Sequence, residues 1–331
     1  MIAYTIRRIL YIIPTLLIIS MISFAIIELP PGDYLTAYMA NLSAQGTEAS
    51  QDQIAAMRQL YGLDQPIYIR YVKWLWRLLH GDMGISFEWN RPVSDLIWER
   101  LALTFAVSLF TVLFIWVTAL PIGIYSAVKQ YSPGDYIFTA ISFIGLGIPN
   151  FMIALVLLWL AFDYWGVALT GLFSREFVDA PWSWAKFVDM LKHMWVPIIV
   201  LGTGGTAGLV RTMRANLLDE LRKPYVVAAR ANGVSELKLL FKYPVRIAIN
   251  PFISTIGWIL PQLVSGATIV SVVLSLPTTG PLLLNALLNQ DMYLAGSFIM
   301  MLSVLTVIGT LLSDLLLAVV DPRIRFEREN A

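Results

Sequence analysis

The stretch IAINPFISTIGWILPQLVSGATIVSVVLSLPTTGPLLLNALLNQ, from Ile247 to Gln290, contains no Asp, Glu, Lys or Arg. A bilayer is crossed once by roughly 20 apolar residues, so this run holds one span and part of a loop. Outward from it lie further uncharged runs, Ile9 to Ile27, Leu101 to Val128, Tyr136 to Phe162 and Met194 to Val210, and another begins at Met292. Each satisfies the same length rule, which predicts an all-α polytopic membrane protein with about six transmembrane helices and both termini on one side. Pro14, Pro121, Pro149, Pro197 and Pro261 fall inside these runs. In membrane helices such prolines are tolerated where neighbours or waters re-satisfy the freed carbonyls.

Composition agrees. Hydrophobic residues make up 58% of the 331 and charged residues 14%, against about a quarter charged in soluble domains. A net charge of +1 excludes a strongly basic nucleic-acid binder. The absence of cysteine excludes disulfides, iron–sulfur clusters and thiolate zinc sites. Arg7 and Arg8 before an apolar run would also open a secretory signal peptide. Ile9 to Ile27 is longer than a typical signal core, however, and no small-x-small cleavage site follows closely, so we read an uncleaved first span.

Orientation follows from the basic residues. Arg211, Arg214, Arg222, Lys223, Arg230, Lys238, Lys242 and Arg246 crowd the connection between the fourth and fifth spans, which places it in the cytoplasm. Arg7, Arg8, Lys129, Arg323, Arg325 and Arg328 share that side, while Asp33, Glu48, Asp52, Asp64 and Asp82 lie opposite. The chain divides into an N-terminal tail with the first helix (1–29), an extracytoplasmic region (30–100), a transmembrane core (101–320, including the cytoplasmic loop 211–250) and a cytoplasmic tail (321–331). Within 30–100, a helix-like stretch from Gln51 to Leu60 precedes the aromatic run Tyr68, Tyr71, Trp74 and Trp76. It reads either as a small ordered cap or as interfacial anchors at the headgroup level.

Several motifs point to chemistry and have simpler structural readings. Gly202, Gly204 and Ala207 fit GxGxxA, but inside an apolar segment they lack the strand that a dinucleotide site requires. Gly204 and Gly208 instead predict a small-xxx-small helix-packing face. No GxxxxGK[ST] loop occurs, so any driving ATP must bind another chain. His80 and His193 lack ligand partners at metal spacing, and no nucleophile–base constellation or metal set stands out, which disfavours a membrane hydrolase. Asp314, in the last span, is either a transport residue or a helix-end acid reaching water or a basic loop residue.

The cytoplasmic loop reads Pro224-Tyr-Val-Val-Ala-Ala-Arg-Ala-Asn-Gly-Val-Ser-Glu-Leu-Lys238. It resembles the EAA loop of ATP-binding-cassette importer permeases, in particular the first-permease subunit of the dipeptide/oligopeptide/nickel family, at Tyr225, Val226, Ala229, Arg230, Ala231 and Gly233. The likeness continues through Pro31-Gly32-Asp33, Gly62-Leu63-Asp64-Gln65-Pro66, Gly81-Asp82-Met83-Gly84-Ile85-Ser86, Ile148-Pro149-Asn150-Phe151 and Asp321-Pro322-Arg323-Ile324-Arg325. Val227 replaces the Glu for which the loop is named, and Pro277-Thr278-Thr279-Gly280 departs from the usual Gly-rich turn.

The resemblance implies a type I importer fold in a bacterial or archaeal inner membrane, with both termini cytoplasmic. It also implies a second homologous permease, two cytoplasmic ATPase subunits that carry ATP and Mg, an extracytoplasmic solute-binding protein and surrounding membrane lipid. This chain would need no cofactor and would be no enzyme. The implied substrates are short peptides, with oligosaccharides or other small solutes as the alternative.

Physical chemistry gives the loop a shape. Pro224 suits a first helical position, Ala228, Ala229 and Ala231 favour helix, and Gly233 supplies a left-handed stop. Ser235 is placed to cap a second helix carrying Leu237, Leu240 and Phe241. By resemblance this knob, with Tyr225, Val226, Ala228, Ala229, Arg230, Ala231, Gly233 and Leu237 as its coupling residues, seats in the ATPase. Gln262, Ser265, Thr268 and Ser271 of the fifth span either line the passage or bond neighbouring helices. A stand-alone ion-coupled carrier or channel would place ionisable residues near mid-membrane, which the uncharged span interiors oppose.

Overall fold

The computed structural model describes residues 2–28, 64–167, 169–252 and 268–320, with 2–9, 11, 26–27 and 312–320 described by backbone alone. The stretch Gln51 to Leu60, the motifs at Pro31 and Asp321, and Gln262 and Ser265 lie outside the described residues, as does the side chain of Asp314. The elements are α1 (Ile2–Glu28), α2 (Ile67–Leu79), α3 (Val93–Val128), α4 (Pro133–Gly147), α5 (Asn150–Trp165), α6 (Trp184–His193), α7 (Trp195–Leu221), α8 (Pro224–Ala231), α9 (Glu236–Lys242), α10 (Pro244–Ala248), α11 (Thr268–Val273), α12 (Thr279–Leu288) and α13 (Met292–Val320). Among the described residues the only strand-like pairing is an isolated bridge between Ile85 and Pro92. The fold is all-α.

By length and composition, α3, α7 and the Met292–Leu311 part of α13 can each cross a membrane, and α4 with α5 makes a fourth candidate. The run from Tyr136 to Phe162, expected as one span, is two helices bent by 98°. The cause is local. Pro149 has no N–H to continue the ladder and forces the residue before it out of the helical region, and Ile148 sits at φ −97°, ψ 123°. Hydropathy cannot register this, because both helices remain apolar.

The chain sorts into two compact units, Met1–Leu103 with Thr278–Ile308, and Thr104–Pro277 with Gly309–Ala331. In the first, α2 lies against α1. Arg70 forks onto both oxygens of Glu28 at 2.8 and 2.7 Å, the Tyr71 and Ser20 hydroxyls are 2.8 Å apart, and the rings of Tyr71 and Trp74 pack on Phe24. Trp74 is buried beside Gly296, where a Cβ would stand 3.1 Å from the indole. At helical spacing around α2, Tyr68, Val72, Trp76 and Leu79 form an exposed apolar stripe. Within the aromatic run, Tyr71 and Trp74 pack on α1, and Tyr68 and Trp76 are exposed.

After α2 the chain makes a tight turn through Gly81 to Pro92. Gly84, at φ 84°, has the Tyr293 ring where its Cβ would be, at 2.7 Å. The turn closes on Asp291, which is fully buried and accepts from the Ser86 hydroxyl at 2.5 Å and the Glu88 N–H at 3.2 Å. Its second oxygen accepts the Leu294 N–H at 3.2 Å, capping the first turn of α13.

In the second unit α7 is the spine. Cβ atoms at Gly202 and Gly205 would come within 2.6 Å of Phe114 and Ile115 of α3, and one at Gly123 of α3 within 2.6 Å of the Met213 side chain. Close approach of α3 and α7 therefore depends on these glycines. The predicted Gly204 and Gly208 face is corrected: Gly204 meets the Asn150 side chain, while nothing lies within 4 Å of a Cβ at Gly208. Four glycines within one helix offer several faces, and the bulk of Phe114 and Ile115 selects which one is used. In the connection from Gly166 to Met194, Lys186 donates to the Val178 and Ala180 carbonyls against the rings of Phe173 and Trp182, and Asp189 accepts from the Ser174 N–H and hydroxyl. His193 and His80 each approach the backbone carbonyl four residues earlier, at 2.8 Å, as ordinary structural histidines do.

Candidate functional site

The basic connection does not begin as a loop. Arg211 and Arg214 stand on α7, which continues to Leu221 before Arg222 ends it. Lys223 then takes the extended conformation required before proline, and Pro224 occupies the first turn of α8, as expected.

The end of α8 is a Schellman turn. The Gly233 N–H bonds to the Arg230 carbonyl at 3.0 Å and the Val234 N–H to the Ala229 carbonyl at 3.3 Å, with Gly233 at φ 77°. Nothing lies within 4 Å of a Cβ at Gly233, so its requirement is conformational and not one of space. Ser235 occupies the N-cap position of α9, but its hydroxyl makes no capping bond, which corrects the expected cap. Instead Arg230 bridges to Glu236 at 2.6 and 3.1 Å, closing the two helices across the turn and holding the Glu236 carboxyl below its ordinary value.

The predicted coupling residues separate by burial. Val226 is fully buried, Ala229 is half-buried, and Tyr225, Ala228, Arg230, Ala231, Gly233 and Leu237 are exposed. Leu239, fully buried, anchors α9, while Leu237 is 73% exposed, Phe241 57% and Val227 55%. The knob therefore presents large apolar side chains outward on a fixed backbone. The Tyr225 hydroxyl donates to Glu220, and partial burial with that carboxylate raises the phenol well above its usual range.

The knob is tied to α7 through a core of Met213, Leu217, Val245, Ala248 and Phe252, with Leu240 of α9 packed against it. One turn of α7 also carries Arg214, which forks onto Asp135 of α4 at 2.9 Å through both Nε and Nη2. Asp135 is 2% exposed and also accepts the Tyr131 N–H at 2.9 Å. Sequence reading missed this pair because its members are 79 positions apart. The available signal was Ser132-Pro133-Gly134-Asp135, a helix start in which Ser132 accepts the Asp135 N–H.

Of the suggested passage residues, Thr268 is half-buried at the start of α11 and Ser271 is buried. No group of three or more His, Cys, Asp or Glu side chains suited to a metal occurs among the described residues.

Residues 119–326 match the family of binding-protein-dependent transport system inner membrane components, and residues 1–108 match the N-terminal region of such membrane components. The oligopeptide transport system permease protein AppB of Bacillus subtilis is 36% identical over 327 residues, covering 98% of this chain and 100% of the relative. The dipeptide transport system permease protein DppB of Escherichia coli K12 is 28% identical over 344 residues, covering 99% and 100%. The peptidoglycan transport system permease protein YejB of Agrobacterium fabrum is 29% identical over 364 residues, covering 99% of each.

Proposed function

Because the chain belongs to the binding-protein-dependent transport system inner membrane component family, we propose that it is a permease subunit of an ATP-binding-cassette importer for peptides of the dipeptide and oligopeptide class. Peptide would arrive on an extracytoplasmic binding protein, and ATP with Mg would act on two cytoplasmic subunits. A second, homologous permease would complete the pathway. The loop and both termini face the cytoplasm in this reading, on the strength of the clustered Arg and Lys residues.

One observation carries the proposal: a backbone-fixed knob that leaves Val227, Leu237 and Phe241 in the open. Apolar side chains on a rigid support, rimmed by charge, are what a partner cleft desolvates. Tyr225, Ala228 and Ala231 flank that surface, Arg230 spans its turn through an exposed ion pair with Glu236, and Val226 and Ala229 seat α8 from behind. Thr268, with Gln262 and Ser265, remains the proposed lining of the passage. Ser271 belongs to the same proposal, and its burial favours a helix-bonding role.

The test is co-purification. Leu237→Glu and Val227→Glu, both at exposed positions, should leave membrane abundance and thermal stability unchanged and remove the ATPase subunits from the purified complex. Retention of those subunits at wild-type stoichiometry would show that the knob is not the docking surface.

A further inference from the structure

We propose that the Asp135–Arg214 pair is the joint through which displacement of the cytoplasmic knob is passed to the half-span α4; this rests on the coupling reading given above. The geometry is directional. On α7, Met213 and Leu217 face the core shared with Val245, Ala248 and Phe252 at the return from the knob. Arg214 is the next residue after Met213, rotated by about 100° around the same turn, and it faces α4. A push on the knob core therefore reaches Arg214 within one turn of a continuous helix.

The hold on α4 is stiff. Arg214 grips both Asp135 oxygens with two parallel N–H donors, which fixes orientation as well as distance. Further along, a Cβ at Gly145 would be 3.1 Å from the Thr203 side chain, and Gly204 faces Asn150 just beyond the elbow. From Asp135 to Gly145, α4 is thus clamped to α7, and the chain can change direction only where the clamp ends, at Ile148 and Pro149. Separation of α4 from α7 would strand a carboxylate in a buried site, so the two move together. The elbow then converts travel of α7 into a change of angle between α4 and α5.

The prediction separates a joint from a mere brace. Neutralising both partners, Asp135→Asn with Arg214→Gln, leaves no unpaired buried charge and keeps an acceptor for the Tyr131 N–H. The complex, with its ATPase and binding-protein partners in proteoliposomes, should assemble at wild-type abundance and hydrolyse ATP at the wild-type basal rate. Uptake of a radiolabelled dipeptide should fall at least tenfold. Uptake within twofold of wild type, or loss in proportion to abundance for both the double variant and Asp135→Asn alone, would overturn the joint. If the wild-type complex itself showed no ATP-dependent uptake, the importer reading would fail instead, before any variant was compared.

Discussion

The turn from Gly81 to Pro92 and the knob from Pro224 to Lys242 depart from ordinary burial in opposite ways. The turn hides a carboxylate, Asp291, completely; the knob leaves more than half of Val227, Leu237 and Phe241 exposed. Both are built on glycines in the left-handed region, Gly84 and Gly233, yet for different reasons. At Gly84 a ring occupies the space of a Cβ, whereas at Gly233 the space is empty and only φ matters. The turn is finished within this chain, because every acceptor of Asp291 found a donor. The knob is unfinished, because none of the described residues covers its apolar surface.

The sharpest way to break this contrast is Asp291→Ala. Removing a buried hydrogen-bonded acid strands the Ser86 hydroxyl and the Glu88 N–H and uncaps α13, which should cost about 3 kcal/mol or more. Thermal unfolding in detergent and membrane abundance should both fall, and an unchanged Tm would show that the turn is not closed by this residue.

Gly233→Val should do the reverse. A β-branched residue at positive φ costs roughly 1–2 kcal/mol locally. The spans do not depend on the turn, so insertion survives while dipeptide uptake fails. Gly233→Asn, which tolerates the left-handed region, should keep most uptake. Equal uptake by the valine variant at equal abundance would remove the turn from the coupling mechanism.

Acidity sharpens the comparison inside the turn itself. Burial pushes the Asp291 carboxyl up, while the Arg77 guanidinium and then the Gly84 N–H hold the Asp82 carboxyl down. Stability contributed by Asp291 is complete below its unfolded value and is lost as pH rises through the folded one. That from Asp82 is present above its unfolded value and is lost as pH falls through the folded one. The Tm of wild type relative to Asp291→Asn should therefore rise on acidification from neutral towards pH about 4, and relative to Asp82→Asn it should fall below pH about 4. Parallel trends would mean that the two acids share one environment. The smallest effect belongs to Arg230→Ala, whose bridge to Glu236 is solvent-exposed and should leave Tm unchanged.

What the sequence made legible follows from which interactions are local. The apolar runs announced helices, and Pro224 and Gly233 announced the knob, because proline and glycine dictate their own backbone. The elbow at Pro149 was present in the letters but hidden by the permissiveness of membrane helices toward proline. The choice of Gly202 and Gly205 over Gly204 and Gly208 needed Phe114 and Ile115 from another helix. Asp291 reads as an ordinary acid at the end of the uncharged run; Ser86 and Glu88, 205 and 203 positions away, make it a hub. The same distance problem hid Asp135 and Arg214, so the helix–turn–helix backbone of the knob could be anticipated and the ion pair behind it could not.

The Schellman turn has an evolutionary consequence. Its bonds are all main-chain to main-chain, and its one demanding residue carries no side chain, so the shape of the knob is written separately from the identity of its surface. Val227, Leu237 and Phe241 can be exchanged without redrawing the backbone that presents them. A lineage that duplicated such an importer would be free to re-address each copy to a different motor by changing a few exposed letters, with the lever arm left untouched.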